Sequence, residues 1–116
     1  MTVKEFAEQS GFRVINMADN AGEVLIRRSY CCDLLSIAMT RVPEGAAWVT
    51  VMSNINTLAV ASLTEAACVI VAENAAADKD FAEKAKEQGI TVLHTEMPVF
   101  DAALMVHEAI HAESGV

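Results

Sequence analysis

A chain of 116 residues, 53% of them hydrophobic, is long and apolar enough to bury the core of one compact domain, which excludes a disordered tail. Its formal charge of −8 would repel phosphate backbones, and Arg27-Arg28 is its largest basic cluster, so we expect no nucleic-acid partner. Its apolar runs are far shorter than the roughly 20 residues of a membrane span, and its start lacks a signal-peptide pattern. We therefore expect a cytoplasmic protein without a membrane partner.

The first half of the chain alternates predicted helices and strands. Thr2 and Glu5 have the spacing of a capping box and Gly11 supplies a stop, which predicts a helix over 2–10. Residues 47–52 form a nearly continuous apolar run, typical of a strand that is covered on both faces in the middle of a sheet. The other predicted elements of this half are strands over 12–16 and 24–27 and a helix over 33–41.

The second half continues the alternation. Ser53-Asn54 is a capping pair before a helix whose predicted buried stripe has the i, i+3, i+4, i+7, i+8 spacing and consists of Ile55, Leu58, Ala59, Ser62 and Leu63. A strand over 68–72, a helix over 78–88 that ends at Gly89, and a strand over 90–93 come next. Pro98 begins a last helix, with a predicted core stripe of Val99, Ala103, Val106 and Ile110.

The alternation of helices and strands predicts right-handed crossover connections between parallel strands, with helices on both faces of the sheet. No linker, repeat or low-complexity stretch divides the chain. We therefore predict a single α/β domain over 1–116, a three-layer α/β/α arrangement with a mostly parallel, mixed sheet of about five strands.

The string His107-Glu108-Ala109-Ile110-His111 matches the H-E-x-x-H pattern of zinc peptidases, in which both histidines bind the metal and the glutamate activates water. A zinc peptidase needs a third protein ligand, and only five residues follow His111. The core stripe of the last helix also places both histidines at its boundary, where half-exposed histidines are ordinary. His107 and His111 are therefore weak metal candidates, and a zinc-dependent hydrolase is the least favoured function.

The cysteines and glycines bear on two further classes of enzyme, those with a catalytic thiol and those with a phosphate-binding loop. Three cysteines make no disulfide framework, which fits a reducing compartment. Cys31 and Cys32 precede a predicted helix, a setting that lowers a thiol pKa, whereas the neighbouring Asp33 opposes thiolate formation, so the role of both cysteines stays open. The chain has no glycine-rich phosphate loop, which argues against a self-sufficient nucleotide-hydrolysing or dinucleotide enzyme, and we expect no cofactor.

Polar side chains collect where the strand over 47–52 meets the following helix. Free helix N–H groups and these side chains would converge at the carboxyl edge of the sheet, the usual ligand crevice of an open α/β fold. Capping by Ser53 or Asn54 explains part of the pattern, but two asparagines and a threonine exceed what one cap requires. Asp33 is either a first-turn acid favoured by the helix dipole or a member of the same crevice. The candidate ligand residues are Asp33, Thr50, Ser53, Asn54, Asn56 and Thr57.

The same segments resemble a known family. The resemblance rests on the runs Ser29-Tyr30-Cys31-Cys32-Asp33-Leu34-Leu35-Ser36, Ala47-Trp48-Val49-Thr50-Val51-Met52-Ser53-Asn54-Ile55-Asn56-Thr57-Leu58-Ala59-Val60-Ala61 and Ala85-Lys86-Glu87-Gln88-Gly89-Ile90. Through these runs, the sequence from 3 to 111 is similar to small stand-alone DRTGG-domain-like proteins, which are related to the N-terminal domain of HPr kinase/phosphorylase. It implies an α/β/α domain, often dimeric, without an established enzymatic activity.

Relatives in that family occur as regulatory modules beside CBS or kinase domains, and stand-alone members tend to be encoded near iron-hydrogenase subunits. The resemblance therefore implies a non-enzymatic regulatory domain that senses a nucleotide or another small anionic metabolite, with a hydrogenase-related protein as a possible partner. The alternative is a protein–protein adaptor without a small ligand. Where relatives have an Asp-Arg-x-x-Gly-Gly-like turn, this chain lacks both glycines and reads Gly22-Glu23-Val24-Leu25-Ile26-Arg27-Arg28-Ser29, so a ligand contact of that turn does not carry over.

Overall fold

A computed structural model describes residues 1–113, which form five strands and five helices. In chain order these elements are α1 (Val3–Ser10), β1 (Arg13–Asn16), β2 (Arg28–Cys31), α2 (Leu35–Arg41), β3 (Ala46–Thr50), α3 (Ile55–Thr64), β4 (Cys68–Val71), α4 (Lys79–Gln88), β5 (Val92–His94) and α5 (Val99–Glu113). Within the described residues, no helix is long and apolar enough to cross a membrane.

The strands form one mixed sheet in the order β1-β5-β4-β3-β2, in which β1 alone pairs antiparallel. The central strands β3 and β4 are buried at every position, as strands covered on both faces must be. Side chains of α1 and α5 share one core cluster with Ala47, Val49 and Ile70, whereas α2, α3 and α4 share the other with Trp48 and Val69. The predicted three-layer α/β/α fold is confirmed.

The prediction of a strand over 24–27 is wrong, because the second strand begins at Arg28. The backbone of the earlier segment pairs elsewhere: the Val24 carbonyl accepts from the Val3 N–H at 2.9 Å, and the Ile26 N–H donates to the Met1 carbonyl at 2.9 Å. These bonds tie the segment to the start of α1, with only an isolated bridge between Thr2 and Leu25. The polar run from Arg28 to Cys31 forms the edge strand because it lies alongside β3 in parallel register.

The predicted buried stripe of α3 is wrong at four of its five positions. Leu58 is fully buried, but Ile55 and Leu63 are 54% and 66% exposed, and Ala59 and Ser62 are also exposed. The helix instead buries Thr57, Leu58, Val60 and Ala61 against the sheet. α3 is apolar on nearly all sides, so its periodicity does not reveal which side faces the core. On α5 the predicted stripe is confirmed: Val106 is fully buried and its other members pack against the same cluster.

Candidate functional site

The carboxyl ends of the four parallel strands lie at one edge of the sheet, together with the start of the antiparallel β1. Arg13, the first residue of β1, is paired in register with His94, the last residue of β5. The loops after β2, β3, β4 and β5 therefore meet at this edge, where ligands bind in open α/β sheets. All six predicted ligand residues belong to these loops or to the elements that they join.

Asp33 and Thr50 lie together at the β2–β3 corner of this edge. The Thr50 hydroxyl donates to Asp33 Oδ1 at 2.8 Å, and the Val51 N–H donates to the same oxygen at 3.0 Å. The Thr50 oxygen also accepts from the Met52 N–H at 3.2 Å. Asp33 is therefore not in the first turn of a helix, since α2 begins two residues later; its carboxylate holds the loop after β3.

Asn54 is the N-cap of α3, and its side chain has the geometry that a cap requires. Asn54 Oδ1 accepts from the N–H groups of Asn56 at 2.9 Å and Thr57 at 3.3 Å. The buried Thr57 hydroxyl donates to the Met52 carbonyl at 2.9 Å, which closes the turn before the helix. The Asn56 side chain is exposed, and within residues 1–113 no hydrogen bond of its amide is seen. Of the two asparagines, only Asn54 thus serves the fold.

This difference predicts unequal effects on stability. Asn54→Ala leaves two helix N–H groups without their acceptor and should lower the free energy of unfolding by about 1 kcal/mol, within a range of roughly 0.5–2 kcal/mol. Asn56→Ala should change it by no more than about 0.5 kcal/mol, because the residue is exposed and its side chain bonds to nothing in the fold. Urea denaturation of both variants measures the two values, and equal losses would contradict the capping role.

Two hydrogen bonds fix the loop after β4 to its neighbours. The Ser53 hydroxyl donates to the Ala76 carbonyl, and His94 Nε2 lies 3.0 Å from the Ala75 carbonyl. Because a carbonyl oxygen can only accept, His94 Nε2 carries a proton. The loop after β4 thereby joins the predicted crevice to the β5 side of the edge.

The same loop contains two consecutive left-handed residues, Glu73 (φ 59°) and Asn74 (φ 54°). Asparagine tolerates this conformation, whereas for glutamate it costs energy that the surrounding bonds must offset. The Glu73 N–H donates to the Met97 carbonyl at 2.8 Å, and its Oε2 accepts from the Val99 N–H at 2.9 Å, at the start of α5. Strained backbone of this kind is concentrated at functional sites. The space beside Glu73 and Asn74 is therefore a candidate ligand site.

That space is a cleft of about 450 Å³ at the carboxyl edge. It is lined by Ser10, Gly11, Phe12, Arg13, Asn74, His94, Thr95, Glu96 and Met97. Arg13 is exposed there, so its guanidinium can meet a ligand. These residues are not predicted from the sequence because they come from three distant segments. The only local signal is His94, which directly follows the strand predicted over 90–93.

Two of the thiols, those of Cys31 and Cys68, have raised pKa values. Partial burial, then the Asp33 carboxylate and then Cys32, raise the pKa of Cys31 above its ordinary 9.0. Complete burial raises the pKa of Cys68 to about 12. Since the thiolate is the reactive form, both shifts make these cysteines less reactive than a free thiol at neutral pH.

Alkylation by iodoacetamide tests this directly. A raised pKa lowers the thiolate fraction at any given pH, so the rate at Cys31 should increase with pH through a midpoint above 9.0. Asp33→Asn should move that midpoint down, because it removes a negative charge beside the thiol. Cys68 should react only after unfolding. A Cys31 midpoint below 9.0 would instead indicate a stabilised thiolate.

The histidine pair stacks on the exposed surface of α5. The rings of His107 and His111 have centroids 4.0 Å apart, and His111 Nδ1 lies 2.8 Å from the His107 carbonyl. Among residues 1–113, no group of three histidine, cysteine or acidic side chains is placed to hold a metal ion. The two rings therefore lie side by side on the surface of the helix, and a metal-binding role for them stays a prediction.

No protein-family model matches this sequence, and no curated protein matches it. The structure is similar to the crystal structure of the CBS and DRTGG domains of the regulatory region of Clostridium perfringens pyrophosphatase, complexed with its activator diadenosine tetraphosphate. The TM-score is 0.72 over 90% of this chain at 15% sequence identity, and the matched part spans 45% of the pyrophosphatase chain. At this identity the likeness concerns the fold, and it supports the DRTGG-like fold that the sequence resemblance predicts.

Proposed function

We propose that this chain is a non-enzymatic regulatory domain that binds a nucleotide or another small anionic metabolite at the carboxyl edge of its sheet. The observation that carries this proposal is the cleft of about 450 Å³ beside Arg13, His94 and Asn74. Its volume lies in the range of small-molecule sites, roughly 300–1,000 Å³. The pyrophosphatase regulatory region with a similar fold is complexed with a nucleotide activator in its crystal structure, which adds support for this class of ligand.

Electrostatics give Arg13 the central role in this proposal. The chain has a formal charge of −8, so its long-range field repels anions. An anionic ligand must therefore gain its affinity from short contacts, and the guanidinium offers paired N–H donors to a phosphate or carboxylate. Glu96 also lines the cleft, which favours a ligand with a neutral, hydrogen-bonding part such as a base or ribose over a bare anion.

The six residues predicted from the sequence divide into two roles in this proposal. Asn54 and Asn56 are exposed at the start of α3 and do not line the cleft, so in this proposal they contact only a part of the ligand that extends beyond it. Thr50 and Thr57 are buried, and together with Asp33 and Ser53 they hold the loops in place through the hydrogen bonds described above. We further propose that the protein acts in the cytoplasm as a homodimer and without a cofactor.

A titration with ATP and diadenosine tetraphosphate, and separately with inorganic phosphate, tests the proposal. We expect saturable binding of the nucleotides that is tighter than the binding of phosphate. Arg13→Ala should weaken nucleotide binding by about tenfold or more, because a charge-assisted pair is lost, which corresponds to about 1.4 kcal/mol. Arg41→Ala is the matched control, since it removes an equal charge at the last residue of α2, at the opposite edge of the sheet.

Binding that is unchanged in Arg13→Ala, or weakened equally in Arg41→Ala, would contradict the cleft as the ligand site. The second candidate function is a protein–protein adaptor, with the hydrogenase-related partner that the family resemblance implies. Exposed apolar side chains on α2 and α3, such as Met39 and Leu63, favour it. Arg13→Ala separates the two, because it should weaken nucleotide binding while leaving a protein interface on α2 and α3 intact.

A further inference from the structure

The outward side of α3 exposes large apolar side chains to solvent. Ile55, Ala59 and Leu63 follow one another at intervals of four residues and form a ridge along the exposed side of the helix. Ile55 is 54% and Leu63 66% exposed. Large apolar side chains on a helix normally face the core, but the fold covers only the opposite side of α3.

Beside this ridge lies a groove of about 350 Å³ between α2 and α3. It is lined by Leu35, Met39, Asn56, Ala59, Val60 and Leu63. Ridge and groove together form an apolar patch that runs from α2 to α3. An ordinary stable interface covers about 800 Å² per partner, and about 60% of that area is apolar, so a dimer formed on this patch must also cover polar residues around it.

Charge favours a second copy of this chain as the occupant. Two molecules of formal charge −8 repel each other across most of their surfaces. α3 contains no charged residue, and α2 contains one, Arg41, at its last position. The face formed by these two helices is therefore where two copies can meet without opposing like charges, and a two-fold contact pairs one such patch with itself.

We propose that two copies associate through α3, crossing antiparallel about a two-fold axis at Ala59. The small Ala59 side chain allows the helices to approach closely, and ridges of residues four apart pack into one another at an inclined crossing. The antiparallel arrangement places Ile55 against the partner's Leu63. It also puts the positive N-terminal end of each helix dipole beside the negative C-terminal end of the other, whereas a parallel arrangement would oppose like ends.

This inference rests on the homodimer part of the proposed function and is independent of its ligand. Sedimentation equilibrium without any ligand should show a dimer. Ile55→Lys or Leu63→Glu should each weaken it by about a hundredfold or more, because each buries two uncompensated charges in the interface. The double substitution Ile55→Lys/Leu63→Glu should restore the dimer, since each lysine then meets the partner's glutamate. Within one helix the two positions are about 12 Å apart along the axis and cannot pair.

The matched control is Phe100→Glu, which places the same charge on the opposite layer at a residue that is 69% exposed. It should leave the dimer intact, and circular dichroism should show native folding for every variant. A monomeric unmodified protein, dissociation by Phe100→Glu alone, or a double variant that stays monomeric would overturn the proposal. ATP titration of the monomeric Leu63→Glu variant separates the two claims, because retained binding with a lost dimer leaves the ligand proposal standing.

Discussion

Trp48→Ala should cost about 3–5 kcal/mol of unfolding free energy, the largest effect of any single substitution considered for this chain. Trp48 lies in the central strand β3, is fully buried, and packs with residues of α2, α3 and α4 in one core cluster. Its Nε1 donates to the Cys32 carbonyl at 3.0 Å. The substitution leaves a cavity and removes this donor, and the loss is a large part of the roughly 5–15 kcal/mol that stabilises a domain of this kind.

Urea denaturation followed by circular dichroism measures this loss, because the chain has a single tryptophan and fluorescence would disappear with it. Phe100→Ala is the matched control: it also truncates an aromatic side chain, but one that is 69% exposed, and should change stability by no more than about 0.5 kcal/mol. A loss below about 1 kcal/mol for Trp48→Ala would mean that the buried position of this side chain is wrong.

The second large effect concerns the bond between Asp33 and Thr50. Thr50→Val removes the hydroxyl that donates to Asp33 and accepts from the Met52 N–H, at a position with 0% exposure. We expect a loss of about 1–3 kcal/mol, since two hydrogen bonds of a buried hydroxyl are lost, one of them to a charged carboxylate. Asp33→Ala should cost about 1.5–3 kcal/mol, because it removes a charged acceptor from both Thr50 and Val51.

A double-mutant cycle shows whether these losses come from one interaction. Because the two residues are in direct contact, the double variant should lose less than the sum of the single losses, with a coupling of about 0.5–3 kcal/mol. Thr40→Val serves as a control, since its exposed hydroxyl donates only to the Ile37 carbonyl within its own helix. Strictly additive losses would contradict the role of Asp33 as the anchor of the loop after β3.

Sequence periodicity predicts the layered arrangement of helices and sheet correctly, but it predicts the wrong segment for the edge strand β2. The apolar run ending at Thr50 predicts a buried strand, because a strand that is covered on both faces needs apolar residues at nearly every position. The segment from Val24 to Arg27 has the same apolar character, yet its backbone bonds to the start of α1. The polar residues of β2 form the edge strand instead, because their backbone pairs with the parallel strand β3. At this edge of the sheet, pairing with a neighbouring strand outweighs local β-propensity.

The candidate site likewise has one part that the sequence predicts and one part that it does not. The polar run after β3 was found from sequence because five of its members lie within eight consecutive residues, although the structure assigns several of them to capping and loop anchoring. The cleft was missed because the antiparallel pairing of β1 with β5 brings Arg13 beside His94, while Asn74 arrives from the loop after β4, where its N–H bonds to the Thr95 carbonyl. No local pattern encodes that pairing.

Native mass spectrometry of freshly purified protein, before and after addition of ATP, tests the central claim most directly, that this domain binds a small anionic ligand at the carboxyl edge of its sheet. It reports the oligomer, any bound metal and any small molecule in one spectrum. We expect a metal-free dimer with a mass increment of nucleotide size that is lost in Arg13→Ala and kept in Arg41→Ala. A protein that carries no small molecule and takes up no ATP, or one that carries one zinc per chain, would contradict the account.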